Sequence, residues 1–427
     1  EAIRHGADRS DPAHRAFAEA DEKIQLIAMI QSGRVLRLFP EQGENGTQWY
    51  APTDPVRALP KGDSVFIKGI FPLMYEAVRN GDSDGLRGLI DKTAAFQRER
   101  GAAGFLPEGR LKAELLYNRL DAVPWLYRID LCCGLLAFAY FVWSLASGRR
   151  NRRIERLSLV PLAGTAVLLT VSMALRGYAA GHLPLGNGYE TMIFVAWCLS
   201  LLALGIGRRF PIAAASGLLM SGFALLVASL GMANPQITPL VPVLRSPWLS
   251  LHVSLIMVSY ALLGLLMLNG TAALALAAAA RAGTAERTSR TLARLRLFGR
   301  LLLYPAVFLL TAGIFTGAVW ANASWGRYWG WDPKEVWALI TLIVYALPLH
   351  EQSLARFRRP LFFHAYTLWA FAAVLMTYFG VNYLLGGMHS YGGGFRPGYA
   401  AATVFAAVTA FALLTVAALI RQRRTDT

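Results

Sequence analysis

The sequence is poor in cysteine and in charged side chains. Of its 427 residues only three are cysteines and 16% are charged, whereas soluble domains have about 25% charged residues. Cys132, Cys133 and Cys198 lie in apolar segments, and the sequence has neither a C-x-x-C pair nor a C-x-x-C-H motif. These absences argue against a thiol–disulfide oxidoreductase and show that the chain is not itself a c-type cytochrome. We expect the three cysteines to be packing residues within a membrane.

Acidic residues are also scarce, which leaves a net charge of +16. Such a charge would suit nucleic acid, but the arginine clusters stand between long apolar runs rather than on a folded basic domain. We therefore predict that no nucleic acid is bound. Hydrophobic residues make up 55% of the chain and its mean hydropathy is +0.40, which indicates a membrane protein. The sequence begins at Glu1, and we expect it to be the C-terminal piece of a longer protein.

The apolar runs predict an all-α polytopic membrane protein with about nine transmembrane helices, because each run can cross about 30 Å of hydrocarbon. The predicted helices cover 126–147, 157–176, 189–206, 212–231, 251–279, 301–320, 335–350, 361–383 and 399–420. Every second connection is rich in arginine, as at 149–156 and 281–300, whereas the alternate connections are nearly free of positive clusters. The positive-inside rule then predicts a cytoplasmic C-terminus and an extracytoplasmic N-terminal region.

Residues 1–124 are predicted to form an extracytoplasmic domain of mixed α/β or mostly helical structure, and 125–427 the transmembrane domain. The predicted helices of the first domain are Ala16–Ile30, Leu73–Arg98 (with Gly and Asp breaks) and Leu111–Leu120, and the predicted strands or extended segments are Val35–Phe39, Gln48–Ala51 and Ser64–Ile67. Nothing in this domain has the spacing of metal ligands or of a nucleophile.

An outer connection at 320–337 contains five tryptophans and one tyrosine in 18 residues. Aromatic belts at membrane interfaces are spread over many helix ends, whereas this cluster is dense and includes Gly326 and Gly330. Indole faces next to glycine offer a rigid stacking surface for a flat apolar ligand. We favour a macrocycle platform over a plain interfacial belt.

Part of this segment has a structural explanation. Asp332, Pro333 and Glu335 fit the start of a helix, with an N-cap, a proline at the first helical position and a capping glutamate. We therefore assign no acid or base role to either carboxylate. Arg327 is the nearest cation and could pair with a propionate, although an arginine at the membrane interface is nearly as good an explanation.

Three histidines are placed where they could bind a metal. His252 and His389 fall on the same predicted outer side as the tryptophans, so two imidazoles could bind one heme iron there. His350 ends the seventh predicted helix, about 22 Å along the helix axis from Glu335. It would mark a second, inner site or simply lie at the interface. We interpret His364 as structural and His182 as a wall of the outer site.

The segment from Trp325 to Trp337 resembles the tryptophan-rich WWD motif of heme-handling proteins, most closely the CcsA (ResC) component of the system II cytochrome c synthase. The resemblance covers about 125–420, and residues 1–124 resemble the exterior domain that joins the CcsB (ResB) and CcsA halves of fused synthases. It implies that His252 and His389 hold an outer heme iron and that His350 is a transmembrane heme ligand. The residues it implies for binding the cofactor are Trp325, Arg327, Tyr328, Trp329, Trp331, Asp332, Trp337, Asn187 and Tyr189.

The resemblance also implies a reaction: a holocytochrome c synthase (heme lyase) of the bacterial cytoplasmic membrane. It would bind heme b with reduced iron and attach it to the C-x-x-C-H motif of apocytochrome c. A CcsB-like half would supply a second transmembrane histidine, and a thiol-reducing protein and membrane lipids would be further partners. The alternatives are a heme exporter, or a heme-presenting subunit of another maturation pathway without synthase activity. A transporter with an unusual aromatic belt would bind no heme.

Overall fold

A computed structural model describes residues 12–31, 33–43, 46–54, 60–101, 107–230, 235–238, 240, 244–280, 282–385 and 398–426. The chain divides into two compact units, Glu1–Glu108 and Gly109–Thr427. The predicted domain boundary at residue 124 follows the short helix α4 (Glu108–Leu120), whereas the two units meet at the first residues of that helix. Its Tyr117 hydroxyl lies 3.2 Å from the Tyr189 hydroxyl of the second unit.

The first unit is a small α/β unit. Helix α1 (Pro12–Gln31) precedes an antiparallel hairpin of β1 (Phe39–Gly43) and β2 (Gly46–Tyr50), followed by α2 (Lys61–Arg79) and α3 (Ser83–Arg100). Phe39 packs with Ile67 and Ile70 in its core. The predicted helix Ala16–Ile30 is confirmed, and the predicted helix Leu73–Arg98 is interrupted between α2 and α3.

The strand predicted at Ser64–Ile67 is wrong, because these residues lie in the first turns of α2. Its buried residues, Asp63, Ile67, Ile70 and Ala77, recur at helical spacing. The extended segment Val35–Phe39 reaches the sheet only at Phe39, and Gln48–Ala51 coincides with β2 except for its last residue.

The second unit is a helical bundle. After α4 its helices are α5 (Ala122–Ser147), α6 (Arg152–Leu157), α7 (Leu159–Ala180), α8 (Gly188–Gly207), α9 (Pro211–Ser229), α10 (Pro247–Ala278), α11 (Ala285–Trp325), α12 (Pro333–Ala346), α13 (Pro360–Leu375), α14 (Val381–Leu384) and α15 (Gly398–Asp426). A 3-10 turn, Leu347–His350, extends α12, and a π-helix, Met376–Gly380, joins α13 to α14.

Eight helices of the described chain are long and apolar enough to cross a membrane, so the protein is an integral membrane protein. They correspond to eight of the nine predicted spans. The remaining prediction, 335–350, falls on α12 and its 3-10 turn, and α12 alone has 14 residues. Helix α11 is much longer than the predicted 301–320, because its arginine-rich first half is also helical.

Helix α10 is the centre of the bundle and packs on α11, α13, α15 and α8, while α5 packs on α9. Glycines let α5 and α9 approach closely: a Cβ atom at Gly134 would lie 2.5 Å from the backbone nitrogen of Leu219. Small residues at helix crossings are the usual way in which membrane helices gain packing. Of the three cysteines only Cys198 is buried, and Cys132 is exposed on α5.

Candidate functional site

The tryptophan segment begins where α11 ends. Gly326 has a φ of 72° and its N–H donates to the Asn322 carbonyl oxygen, which turns the chain out of the helix. Just before this turn, the rings of Trp320 and Trp325 meet edge to face, with centroids 4.8 Å apart. The aromatic cluster therefore starts on a rigid helix rather than on a loop.

The aromatic side chains of the segment differ sharply in exposure. Trp320 is 2% exposed and belongs to the core, whereas Tyr328 is 61% and Trp331 is 73% exposed. The rings of Trp329 and Trp331 are nearly perpendicular, with centroids 6.0 Å apart. Trp331 has a φ of 57°, an unusual backbone conformation for so bulky a residue. The segment thus presents indole and phenol rings outward, as a stacking surface requires.

The predicted helix cap is confirmed by a complete capping box at the start of α12. The Asp332 carboxylate accepts from the Lys334 N–H at 3.1 Å, and Glu335 Oε2 accepts from the backbone N–H groups of Gly330 at 2.8 Å and Asp332 at 3.2 Å. The two carboxylates therefore fix the loop, and Asp332 is buried beneath it. Arg327 is exposed, and its guanidinium lies over Gly330, where a Cβ atom would be 3.1 Å from its Nε.

His252 is in the second turn of α10 and its ring packs on α11. The ring Nδ1 lies 2.6 Å from the carbonyl oxygen of Gly313. Because a carbonyl oxygen only accepts, Nδ1 is the donor of this hydrogen bond, and Nε2 is the ring nitrogen that would bind a metal. A backbone carbonyl bound to the second nitrogen is the usual support for a metal-binding histidine. Gly317, beside the ring, is about 12 Å along the helix axis from Trp325.

Helix α12 makes side-chain contacts with the π-helix and α14, which precede His389 in the chain. Lys334 Nζ donates to Asn382 Oδ1 at 2.9 Å, and the Thr341 and Thr377 hydroxyls are 2.8 Å apart. Thr377 belongs to the π-helix, a feature that is frequent at functional sites. Trp337, half-buried on α12, contributes its carbonyl oxygen to both threonines. His389 itself lies outside the described residues.

His350 lies at the end of the 3-10 turn, away from the tryptophan segment by the length of α12. It is exposed, and its Nδ1 is 2.9 Å from the Ala346 carbonyl oxygen. As in His252, Nδ1 is therefore the donor, and Nε2 is the ring nitrogen that would bind a metal. His364 is fully buried, with Nε2 3.2 Å from the Leu292 carbonyl oxygen, in keeping with the structural role expected of it.

Asn187 and Tyr189 mark the start of α8. Asn187 is its N-cap and its side-chain oxygen accepts from the Glu190 N–H at 2.9 Å. Tyr189 is 9% exposed and covered by the guanidinium of Arg176, 5.1 Å from the ring centroid. The neighbouring Thr191 hydroxyl lies 2.8 Å from the Tyr378 hydroxyl of the π-helix. The structure therefore ties this block to the π-helix that also contacts α12.

Arg176, which no sequence pattern singled out, holds the start of α8 in place. Its side chain is 2% exposed and pairs at 2.8 Å with that of Glu190, which is 3% exposed. It also donates to the Pro235 carbonyl oxygen at 2.7 Å and the Gln236 carbonyl oxygen at 3.1 Å. The cavity beside the pair holds about 10 Å³, enough for one water molecule. A lone arginine at the end of an apolar run was the available signal, because ionisable residues in membrane helices are usually functional or paired.

Asp130 is a second buried ionisable residue of the membrane helices that no sequence pattern singled out. It lies fully buried in α5 and accepts from the Thr165 hydroxyl at 2.7 Å and the Ser221 hydroxyl at 2.8 Å. It thereby links α5, α7 and α9. Its two partners are neutral hydroxyls on neighbouring membrane helices, which is the pattern of interhelical hydrogen bonding in bilayers.

The described groups that could contact a cofactor are one oriented imidazole and a set of exposed aromatic rings. No group of three His, Cys, Asp or Glu side chains in the described part of the chain could hold a metal ion. His252 offers a single oriented imidazole that packs on α11, the helix that leads into the exposed aromatic rings. One or two imidazoles suffice for heme iron, since the macrocycle supplies the other ligands.

Comparison with known proteins agrees with this chemistry. The family described as cytochrome C assembly protein matches residues 185–389. Protein NrfI of Wolinella succinogenes is 35% identical over 382 residues, which cover 88% of this chain and 42% of NrfI. The cytochrome c biogenesis protein CcsA of Synechococcus sp. (strain WH7803) is 35% identical over 308 residues, covering 61% of this chain and 94% of that protein. CcsA of Parasynechococcus marenigrum (strain WH8102) is 37% identical over 288 residues, with 60% and 92% covered.

Proposed function

Since the chain belongs to the family of CcsA-type cytochrome c assembly proteins, we propose that it binds heme b on the outer side of the membrane and attaches it to the C-x-x-C-H motif of apocytochrome c. The observation that carries this proposal is the oriented imidazole of His252 beside α11, whose C-terminal end opens into the exposed aromatic segment. The chain spans less than half of NrfI, so a CcsB-like half is part of the proposal.

The reaction is an addition. Each thiol of the apocytochrome adds across one vinyl group: a carbon–sulfur bond forms, the carbon–carbon π bond is lost, and the proton goes to the neighbouring vinyl carbon. No oxidant or reductant is consumed. The residues of this chain act by positioning, because two thiols must meet two vinyl carbons in one arrangement.

The histidines, the aromatic segment, its helix cap and the start of α8 each have a role in that positioning. His252 and His389 hold the iron, and the aromatic side chains of the WWD segment line the macrocycle. The capping box with Glu335 holds the loop in one conformation. Arg327 is the candidate partner of a propionate, and Asn187 and Tyr189 act through the network that fixes the start of α8.

We further propose that the arginine-rich connections face the cytoplasm and that the first unit and the WWD segment face outward. His350 then lies near the inner surface, where a heme from the cytoplasm would first be bound. In the resembling family a second histidine comes from the CcsB half. The route would run from His350 to the outer site, with apocytochrome accepting the heme there.

The second candidate is a heme exporter or a heme-presenting subunit, which the same site would serve without thioether formation. The two are separated by one assay in cells. The full-length protein, with any CcsB-like half, is co-expressed with an apocytochrome that carries C-x-x-C-H, and heme-stained denaturing gels report covalent attachment. Attached heme supports the synthase, whereas a purified protein with bound heme but no attached product supports the exporter.

Binding itself is tested by the optical spectrum of the purified protein. A reduced b-type spectrum is expected, and it should be lost from the outer site when His252 and His389 are replaced by Gly. R290M, which changes an arginine of α11 with a side chain that is 68% exposed, is the control. A folded protein that contains no heme from heme-replete cells would contradict the proposal.

A further inference from the structure

Two arginines of α11 hold a carboxylate immediately after His350. Arg296 Nη2 pairs with Glu351 Oε2, and Arg300 Nη1 pairs with Glu351 Oε1 at 2.7 Å. The arginines are four residues apart and therefore share one face of the helix. Each guanidinium takes one oxygen of the same carboxylate, so the pair is a carboxylate-binding site by its geometry.

The three side chains of this site are partly buried. The side chains of Arg296, Arg300 and Glu351 are 17%, 31% and 19% exposed. Arg296 is further fixed by donating to the Phe357 carbonyl oxygen at 3.0 Å, and Arg300 by donating to the Tyr304 hydroxyl. The cations are therefore held in position independently of Glu351, yet they can be reached from outside.

The charge of the site is not balanced. Two guanidinium groups face one carboxylate, which leaves one positive charge in excess. Exposed Arg356, Arg358 and Arg359 follow within the same connection. Such a cluster attracts anions and raises their local concentration.

We propose that Arg296 and Arg300 form a binding site for the propionate carboxylates of a heme ligated by His350, and that Glu351 competes with the heme for it. This inference rests on the proposed inner heme site. His350 would supply the iron ligand through Nε2, since its Nδ1 contacts the Ala346 carbonyl oxygen, and the two arginines that hold the next residue, Glu351, would neutralise the acidic edge of the macrocycle. Exchange of one carboxylate for another keeps both guanidinium groups paired throughout loading.

The competition has a consequence for transport. Heme is bound at the inner site only while its carboxylates displace Glu351, and the return of Glu351 to the arginines would help to release it. A structural role alone predicts the opposite behaviour, because a clamp that merely holds the connection after His350 would need Glu351. Substitution of Glu351 therefore separates the two roles.

The test uses the full-length protein in detergent, with His252 and His389 replaced by Gly so that only the inner site remains. Dissociation constants for heme b and for its dimethyl ester, which lacks the two charges, are measured by optical titration. We expect heme b to bind more tightly than the ester. R296M and R300M should each weaken heme b binding about tenfold, the effect of losing a hydrogen bond to a charged group, and leave ester binding unchanged. R294M, which removes an exposed arginine from the same helix, is the matched control.

E351Q is expected to tighten heme b binding several-fold and to leave ester binding unchanged. Unchanged or weaker heme b binding in E351Q would overturn the competition, as would equal binding of heme b and the ester by the parent protein. An arginine effect that appears only when anionic lipid is added would identify a lipid headgroup as the ligand and overturn the proposal. If H350G in the same background binds heme b as well as its parent does, the inner heme site itself fails, which is a different outcome.

Discussion

The imidazole ring of His252 lies so close to Gly317 that a Cβ atom at residue 317 would be 2.6 Å from both Cε1 and Nδ1 of the ring. The glycine therefore provides the space in which the ring can reach the Gly313 carbonyl oxygen. This contact orients the imidazole, and the orientation depends on a residue that has no functional group of its own.

G317A should weaken heme binding at the outer site, because the added methyl group pushes the ring out of its hydrogen bond. We expect the affinity to fall about 10- to 100-fold, as for other losses of support to a metal-binding histidine. The measurement is an optical titration in a protein with His350 replaced by Gly, so that the outer site alone is observed.

The control for this substitution is G205A on α8, where a Cβ atom meets nothing within 4 Å. It adds the same methyl group to another membrane helix and should leave heme binding unchanged. If G317A binds heme like the control, His252 is not held in the orientation that ligation needs, or it is not a ligand.

Substitutions of Trp320 and Trp331 should separate a loss of stability from a loss of heme affinity. W320A removes a core side chain that is 2% exposed and should lower stability by about 3–5 kcal/mol. W331G removes a ring that is 73% exposed and relieves a left-handed backbone conformation, which costs about 1–3 kcal/mol in a bulky residue. We expect W331G to unfold at the same or a higher temperature and yet to bind heme about two- to tenfold more weakly. Equal heme affinity in W331G and the parent protein would remove Trp331 from the platform.

Glu335 should act through its hydrogen bonds and not as an acid. E335Q keeps an oxygen that can accept from the N–H groups of Gly330 and Asp332, whereas E335A keeps none. We therefore expect E335Q to form attached cytochrome at nearly the parent level and E335A to lose most of it, together with bound heme. Heme-stained gels and the optical spectrum report the two quantities. An E335Q variant that binds heme normally but attaches none would show that Glu335 takes part in proton transfer.

Much of the membrane architecture follows from the sequence, because apolar runs of sufficient length have few alternatives to a membrane helix. The capping box at Asp332 was equally predictable, since its residues satisfy the local backbone of one helix end. The strand predicted at Ser64–Ile67 was wrong because its local sequence was too short to determine the structure. A run of four residues cannot distinguish periods of 2 and 3.6, and contacts with Phe39 in the core decided the helix.

The candidate site was predictable in its residue types but not in its supports. His252 could be singled out from the sequence, whereas its partner Gly313 lies 61 residues further along. The role of Arg176 likewise depends on carbonyl groups 59 and 60 residues away. Contacts of this kind are determined by how helices pack, and no local pattern records them.

The buried pair of Arg176 and Glu190 gives the last prediction, on stability. Its two side chains are 2% and 3% exposed, so removal of one partner leaves an uncompensated charge in the bundle. E190Q or R176M should each lower stability by about 3–5 kcal/mol. The double variant R176M/E190Q should lose less than the sum, because neither charge is then left alone. Unfolding in detergent followed by circular dichroism provides the double-mutant cycle.

R290M, which breaks the pair of Arg290 and Glu286 with side chains 68% and 86% exposed, is the control and should leave the unfolding midpoint nearly unchanged. Additive losses at Arg176 and Glu190 would show that the arginine acts mainly through the carbonyl oxygens of Pro235 and Gln236, and the start of α8 would then be held by that connection and not by the ion pair.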